Sequence, residues 1–337
     1  MSPGSLPSLA APPTTAAAAS PTPAPAPTHL IVVCCHGIWL GGPSAGHDEA
    51  EWLIAPFQAG ETPTFLRHIE EGVRAHADDV ANSVLVFSGA ATRPETRLSE
   101  AQSYANVAAQ NAYFGHLPSS SSSPSSPSSS SSSSHDGALP TTTTILLEER
   151  ALDSFSNVLF SMTLFRARVG AWPASLTVVG HAFKRPRMEM HVAAVGFPAA
   201  RTRHVGVDPP GVGRLLLLAS ASPSASPSAA AAAAAAARRG ADANEDGVLQ
   251  RRPQQHQQEG QEWEDHPVLR GIRNAEREWR EDPHGRGESL AGKRRGRNAW
   301  AAWQGVFERE VTDRGGLETV GEGEAERLVD EARRPWL

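Results

Sequence analysis

Lysine is nearly absent from this 337-residue chain: Lys184 and Lys293 are the only two among 31 basic residues. Arginine supplies the rest, and 37 acidic residues leave a net charge of -6. That acidic balance opposes broad contact with a phosphate backbone, so no nucleic-acid partner is expected. Cysteine is as scarce, and its two copies, Cys34 and Cys35, are adjacent within an apolar run. This excludes a disulfide framework and points to a reducing compartment. No apolar stretch approaches the length of a bilayer span, so no membrane partner is expected. No charged side chain precedes Asp48, and the first basic residue is Arg67. The N-terminus thus lacks the basic region of a secretory signal and the arginines of a presequence, and the expected location is cytoplasmic.

What is present is organised in blocks. Residues 1–28 are Pro, Ala, Ser and Thr without periodic apolar positions. Such a composition cannot offset the entropy of ordering and is expected to form a disordered tail. A Ser/Pro-rich insertion over 119–143 and a polyalanine and Gln-rich insertion over 219–261 interrupt the rest, each cheap to close as a loop. What remains is an expected α/β domain over 29–218 and a C-terminal extension over 262–337, expected to pack on it.

Within the α/β domain, short continuous apolar runs at Leu30 to Cys35, Val84 to Phe87, Ile145 to Leu147, Leu176 to Val179 and His204 to Val207 alternate with helical patterns. Continuous rather than alternating runs are the mark of strands buried on both faces of a parallel sheet. Phe65, Ile69 and Val73 share one helical stripe. Ser99 with Gln102 has capping-box spacing for a helix closing at Gly115. Asp153 or Ser154 caps a third helix, and Pro186 and Gly196 bracket a fourth. The fold class read from this rhythm is α/β: a three-layer, doubly wound, mainly parallel sheet.

Ligands in such sheets sit beyond the carboxyl ends of the strands, and here those segments are unusually polar. Gly37, Gly41 and Gly42 allow close backbone approach and offer N–H donors. Ser88 and Gly89 end the second strand, followed by Arg93, Arg97, Ser99 and Glu100. Glu148, Glu149, Ser154 and Asn157 follow the third, and His181, Lys184 and Arg185 the fourth. Arg93, Arg97, Arg185 and Lys184 form an expected clamp for an anionic group. Glu100, at a helix start, is expected to stay ionised and accept from hydroxyl groups. His36 and His181 are the expected proton-transfer groups, since histidine titrates near neutrality. The catalytic candidates are therefore His36, His181 and Glu100. No metal is expected, because Cys34, Cys35 and His36 are consecutive and lack ligand spacing.

Val178-Val179-Gly180-His181 resembles the approach to an α/β-hydrolase elbow, but Ala182 and Lys184 stand where G-x-S-x-G needs its serine and last glycine. That nucleophile is excluded. Neither G-x-G-x-x-G after the first strand nor a P-loop occurs. Taken in order, Cys35 to Gly42, Ser88-Gly89, Ser99-Glu100-Ala101, Glu148 or Glu149 with Ser154 and Asn157, and His181, Phe183, Arg185 and Arg187 resemble the YdcF, SanA and ElyC-like family, domain of unknown function 218. His36-Gly37-Ile38-Trp39, Asp282 to Gly285 and Lys293 to Asn298 resemble its cytoplasmic fungal branch. The resemblance covers roughly Leu30 to Asp208. It implies a Rossmann-like fold with a strand-end pocket and points to S-adenosylmethionine as a candidate cofactor.

Three functions fit this reading. One is an enzyme acting on a phosphorylated, nucleotide or glycosyl small molecule, and another is a nucleotide or S-adenosylmethionine binder without chemistry. The third is an interaction module built on the five tryptophans after residue 262, although helical spacing of Trp279, Trp300, Trp303 and Phe307 favours docking on the core. The basic tract Lys293 to Arg297, set among acidic residues, reads as solvated or internally paired.

Overall fold

The computed structural model describes residues 26–117, 144–220 and 266–337. The expected tail and both expected insertions fall almost wholly outside the described residues, as does Trp263. Five parallel strands form the central sheet: β1 (His29–Cys34), β4 (Ser83–Ser88), β5 (Ile145–Glu148), β6 (Ser175–Gly180) and β7 (Thr202–Gly206). Their spatial order is β5-β4-β1-β6-β7, with His29 opposite both Ser83 and Ser175. The chain thus winds outward from β1 in one direction, returns, and winds outward in the other. This is the Rossmann-like, doubly wound α/β arrangement, and its direction reverses between β1 and β6.

The runs are continuous because both faces are covered, and alternate residues go to opposite cores. Leu30, Val32, Cys34, Val84, Val86, Leu176 and Val178 face helices α3 (Ser154–Val169) and α4 (Arg185–Val195). Ile31, Val33, Cys35, Leu85, Phe87 and Val179 face α1 (Thr62–Ala77) and α2 (Glu100–Gln110). The two cysteines are free and buried, one on each face.

Local chemistry sets the helix ends. The Ser99 hydroxyl accepts from the Gln102 amide at 2.9 Å, and the Asp153 carboxylate from Ser156 at 2.8 Å. Gly170 and Gly196 close α3 and α4 in the left-handed conformation. Helix α2 stops short of its expected end: Ala112, Tyr113 and Phe114 all adopt positive φ, so the residues before Gly115 form a separate kinked turn. A small hairpin of β2 (Ile38–Trp39) and β3 (Trp52–Leu53) also follows β1, too short to leave a periodic signature.

Helix α3 is buried from Phe155 through Phe165 because the C-terminal segment covers the side turned away from the sheet. That segment contributes α6 (Pro267–Glu281), α7 (Glu288–Arg297) and the two-residue strands β8 (Thr319–Val320) and β9 (Arg327–Leu328), after α5 (Val212–Ser220). Trp279, Leu290, Phe307, Leu317 and Trp336 enter the same core as α3 and α4. The tryptophans are engaged within the chain. Trp279 stacks on Phe155, Trp336 donates to the Gly196 carbonyl, and Trp303 donates to that of Phe307. The basic tract is paired as well: Lys293 with Glu278, Arg294 with Asp153, Arg295 with Glu288, and Arg297 with the Leu152 carbonyl. Among the described residues, the tryptophans and the tract make these contacts within the chain.

Candidate functional site

The reversal between β1 and β6 brings the segments after these two strands together, and the chemistry gathers there. His36 Nε2 lies 3.2 Å from His181 Nδ1 and 2.6 Å from Lys184 Nζ. The ammonium can only donate, so His36 Nε2 is its acceptor. His181 Nε2 faces the Glu61 carboxylate at 3.7 Å. A third imidazole comes from α1, where His68 Nε2 donates to the Val207 carbonyl at 2.9 Å. Ligand atoms of His36, His68 and His181 all lie within 4.8 Å of one another. Phe65 stacks on His36 and Phe183 leans on His181, walling the cluster. Gln58 donates to the His36 carbonyl at 2.7 Å, and the His36 amide donates to the Tyr104 hydroxyl, which fixes the turn after β1.

Burial dominates the electrostatics. It pushes His36 and His181 well below the ordinary imidazole value, with the Lys184 charge adding to the effect. It lowers His68 to about 3 despite the Val207 carbonyl. All three rings are therefore neutral at neutral pH, which corrects the expectation that His36 and His181 titrate there. Burial, reinforced by Arg187, instead lowers Lys184 to about 7. Arg187 packs behind Lys184 with its Nε buried and without a hydrogen-bond partner, its guanidinium also destabilised by burial. The positive field of Lys184, Arg187 and Arg297 reaches this point, with Glu276 of α6 opposing it. Phe183, Lys184, Arg187, Ile272 and Glu276 enclose about 10 Å³, room for roughly one water.

The expected clamp is only partly assembled here. Lys184 belongs to the cluster; Arg185, next to it, points outward and pairs with Glu189 at 2.8 Å. Arg97 is exposed and lies over the Trp300 ring at 4.4 Å, while Trp300 donates to the Arg93 carbonyl at 2.9 Å. Arg187, beside Lys184, supplies the second cation there.

Most of the other candidates are occupied by the fold. Gly41 and Gly42 adopt positive φ, but the loop they open wraps a carboxylate of the chain itself. Glu51 accepts from the Trp39 indole at 2.7 Å, Ser44 N at 2.8 Å and Gly46 N at 3.1 Å. Although partial desolvation acts upward, these donors hold Glu51 down at about 2. Gly37 is needed for packing, since a Cβ there would come within 3.0 Å of Ile54 and 3.2 Å of Phe65. Gly89 lets the start of α2 approach β4: a Cβ would stand 2.9 Å from Glu100.

Ser88 Oγ donates to Glu148 Oε2 at 2.9 Å, with Asn157 3.1 Å away on its other side. Ser99 caps α2 and donates to Glu149 at 2.7 Å. Ser154 Oγ lies 2.8 Å from His191 Nε2. Glu100 accepts from the Thr92 hydroxyl at 2.7 Å. Burial raises its carboxyl above the usual range, against the hydrogen bond and the nearby arginines, so the helix N-terminus does not dominate as expected.

His68 and Glu61 were not among the residues expected in the site, whereas Arg187 was expected among the charged residues after the fourth strand. A sequence signal for His68 existed: it lies three residues after Phe65 on the stripe that α1 buries. A larger cavity of about 280 Å³ lies between α3 and the C-terminal segment; of its charged lining, Arg286, Arg294 and Glu326 are paired with Asp330, Asp153 and Arg314.

No family model matches the chain, and no solved structure matches it. A curated relative, "Uncharacterized protein YOR238W" of Saccharomyces cerevisiae, is 26% identical over 205 residues, covering 53% of this chain and 67% of its own. Among the described residues, no helix is long and apolar enough to cross a membrane.

Proposed function

We propose that this protein binds a small anionic molecule, phosphorylated or nucleotide-like, at the strand ends between β1 and β6. The observation that carries the reading is Lys184 beside Arg187, whose buried Nε has no partner, at the point where the winding of the sheet reverses. A buried cation without its full set of acceptors is costly unless a ligand completes it. Glu276 partly fills that role from α6, so ligand entry requires α6 to yield at this edge. If the ligand reacts, Lys184 is where a proton is exchanged, since burial brings its ammonium down to about 7 and it touches His36 Nε2 at 2.6 Å. In the cytoplasmic fungal proteins that the chain resembles, the same site would take the same class of ligand.

Calorimetric titration with nucleotides, sugar phosphates and S-adenosylmethionine tests this in wild type, Lys184→Met and Arg185→Ala. Lys184→Met is expected to lose binding at least about tenfold, the effect of one charge-assisted bond. Arg185→Ala should bind as wild type, its side chain being an exposed partner of Glu189. Selective uptake of S-adenosylmethionine would replace the phosphate reading with the sulfonium cofactor. Absence of binding in wild type, or a loss in Arg185→Ala alone, refutes the proposal.

A further inference from the structure

The three imidazoles at the strand ends present a different chemistry from the cations beside them. His68 donates from Nε2 to the Val207 carbonyl, which accepts only, so Nδ1 carries the lone pair; it is buried and has no partner. His36 Nε2 accepts from Lys184, so it too presents a lone pair. His181 directs Nε2 toward the Glu61 carboxylate and Nδ1 toward His36. His68 is thus held at one nitrogen by a backbone carbonyl and His36 is met by the Lys184 ammonium, while His181 Nε2, buried and without a hydrogen-bond partner, faces the Glu61 carboxylate at 3.7 Å. In metal sites, carbonyls and carboxylates of this kind orient imidazole ligands from outside. His68 and His181 are essentially inaccessible, while His36 is partly exposed and offers the route in. A hydrophobic pair, a core hydrogen bond or a cap would need one histidine; it would not assemble three neutral rings from the end of β1, from α1 and from the end of β6.

We infer that His36, His68 and His181 form a binding site for a divalent first-row transition metal of the zinc type. Three neutral nitrogen ligands suit zinc better than calcium or magnesium, which take oxygen, and three protein ligands leave positions open to water or a substrate oxygen. Occupation requires Lys184 Nζ to give up its 2.6 Å contact with His36. Lys184 therefore competes with the metal, whereas it assists an anion. The inference stands on the histidines and does not depend on anion binding.

The full chain, stripped with a chelator and dialysed, is titrated with Zn²⁺ and with Co²⁺. Metal content and the visible d–d bands of cobalt are the readouts. One equivalent is expected, with the band intensity of a four- or five-coordinate nitrogen site. His68→Ala and His181→Ala should each weaken binding at least about tenfold, the effect seen even for residues that only support metal ligands. His116→Ala, outside the cluster, should bind as wild type, and Lys184→Met should bind as tightly or more tightly. If His68→Ala fails to fold, His68→Gln is used in its place, with thermal unfolding confirming structure. Binding below half an equivalent in wild type, or equal binding in the His68 and His181 variants, overturns the inference. Lys184→Met separates the two readings, because it should keep the metal while losing the anion.

Discussion

Glu148 and Glu149 are neighbours in sequence, and their isosteric amides should have opposite consequences. The Glu148 side chain is 1% exposed; Oε2 accepts from Ser88 and the Ala151 amide, and Oε1 from the Arg150 amide at 3.0 Å with the Arg150 guanidinium 3.4 Å away. Burial raises its carboxyl, opposed first by Arg150. Glu148→Gln turns one acceptor oxygen into a donor, so a buried backbone N–H meets another N–H at a cost of about 1 to 3 kcal/mol. The guanidinium of Arg150, 12% exposed, also loses its counter-charge. Breaking such a pair brings the total to about 3 to 5 kcal/mol, or a fall in Tm of roughly 6 to 20 °C. Glu149 is exposed and accepts from the Ser99 hydroxyl through Oε1. Glu149→Gln keeps an acceptor there and should stay within about 0.5 kcal/mol. Denaturant unfolding and calorimetry of both variants decide the matter. Glu148→Gln within about 1 kcal/mol of wild type, or Glu149→Gln the more damaging, would refute the account of Glu148 as a fold-holding carboxylate.

Two further outcomes follow from the helix α1 interface. A Cβ on Gly72 would stand 2.3 Å from Val33 Cγ2, so Gly72→Ala should destabilise by about 1 to 2 kcal/mol, after the helix-propensity gain is subtracted, and a variant as stable as wild type in urea would contradict this packing. Burial lowers His76 to about 4, with its Nδ1 2.7 Å from the Ser83 hydroxyl, so the unfolded chain binds the extra proton between pH 6.5 and 4. Stability should therefore fall as pH drops through that window, by at most about 3 kcal/mol from this residue, and His76→Gln should flatten the slope; an unchanged slope would exclude His76 as a contributor.

The sheet was legible because its strands are unbroken apolar runs whose alternate residues serve two cores. His36, His181 and Lys184 were legible because each directly follows a strand, and strand ends are where a parallel sheet presents chemistry. The third ring escaped notice: on the stripe of Phe65 and Ile69, a histidine reads as packing until the partner strands are placed beside it. The arginines misled because charge near a strand end says nothing of direction. Arg97 comes after the end of β4 and Arg185 directly follows Lys184, yet they turn to Trp300 and Glu189. The glycine loop misled for a similar reason: its donors face an anion as expected, but the anion is Glu51, ten residues downstream and carried on a hairpin with no periodic pattern.

The two faces of the sheet cannot mature together during protein synthesis. The face under α1 and α2 is completed by residues no later than Val205, whereas the face under α3 and α4 needs Leu328 and Trp336. A nascent chain that has delivered all five strands still carries α3 with one side bare, including residues that the finished protein buries completely. Chains tend to fold in the order they emerge, and apolar surface held open in the meantime is where aggregation starts. Slow translation over the last third of the message would prolong that exposed state, and a chaperone that shields apolar helices would find its substrate in the ribosome-bound protein.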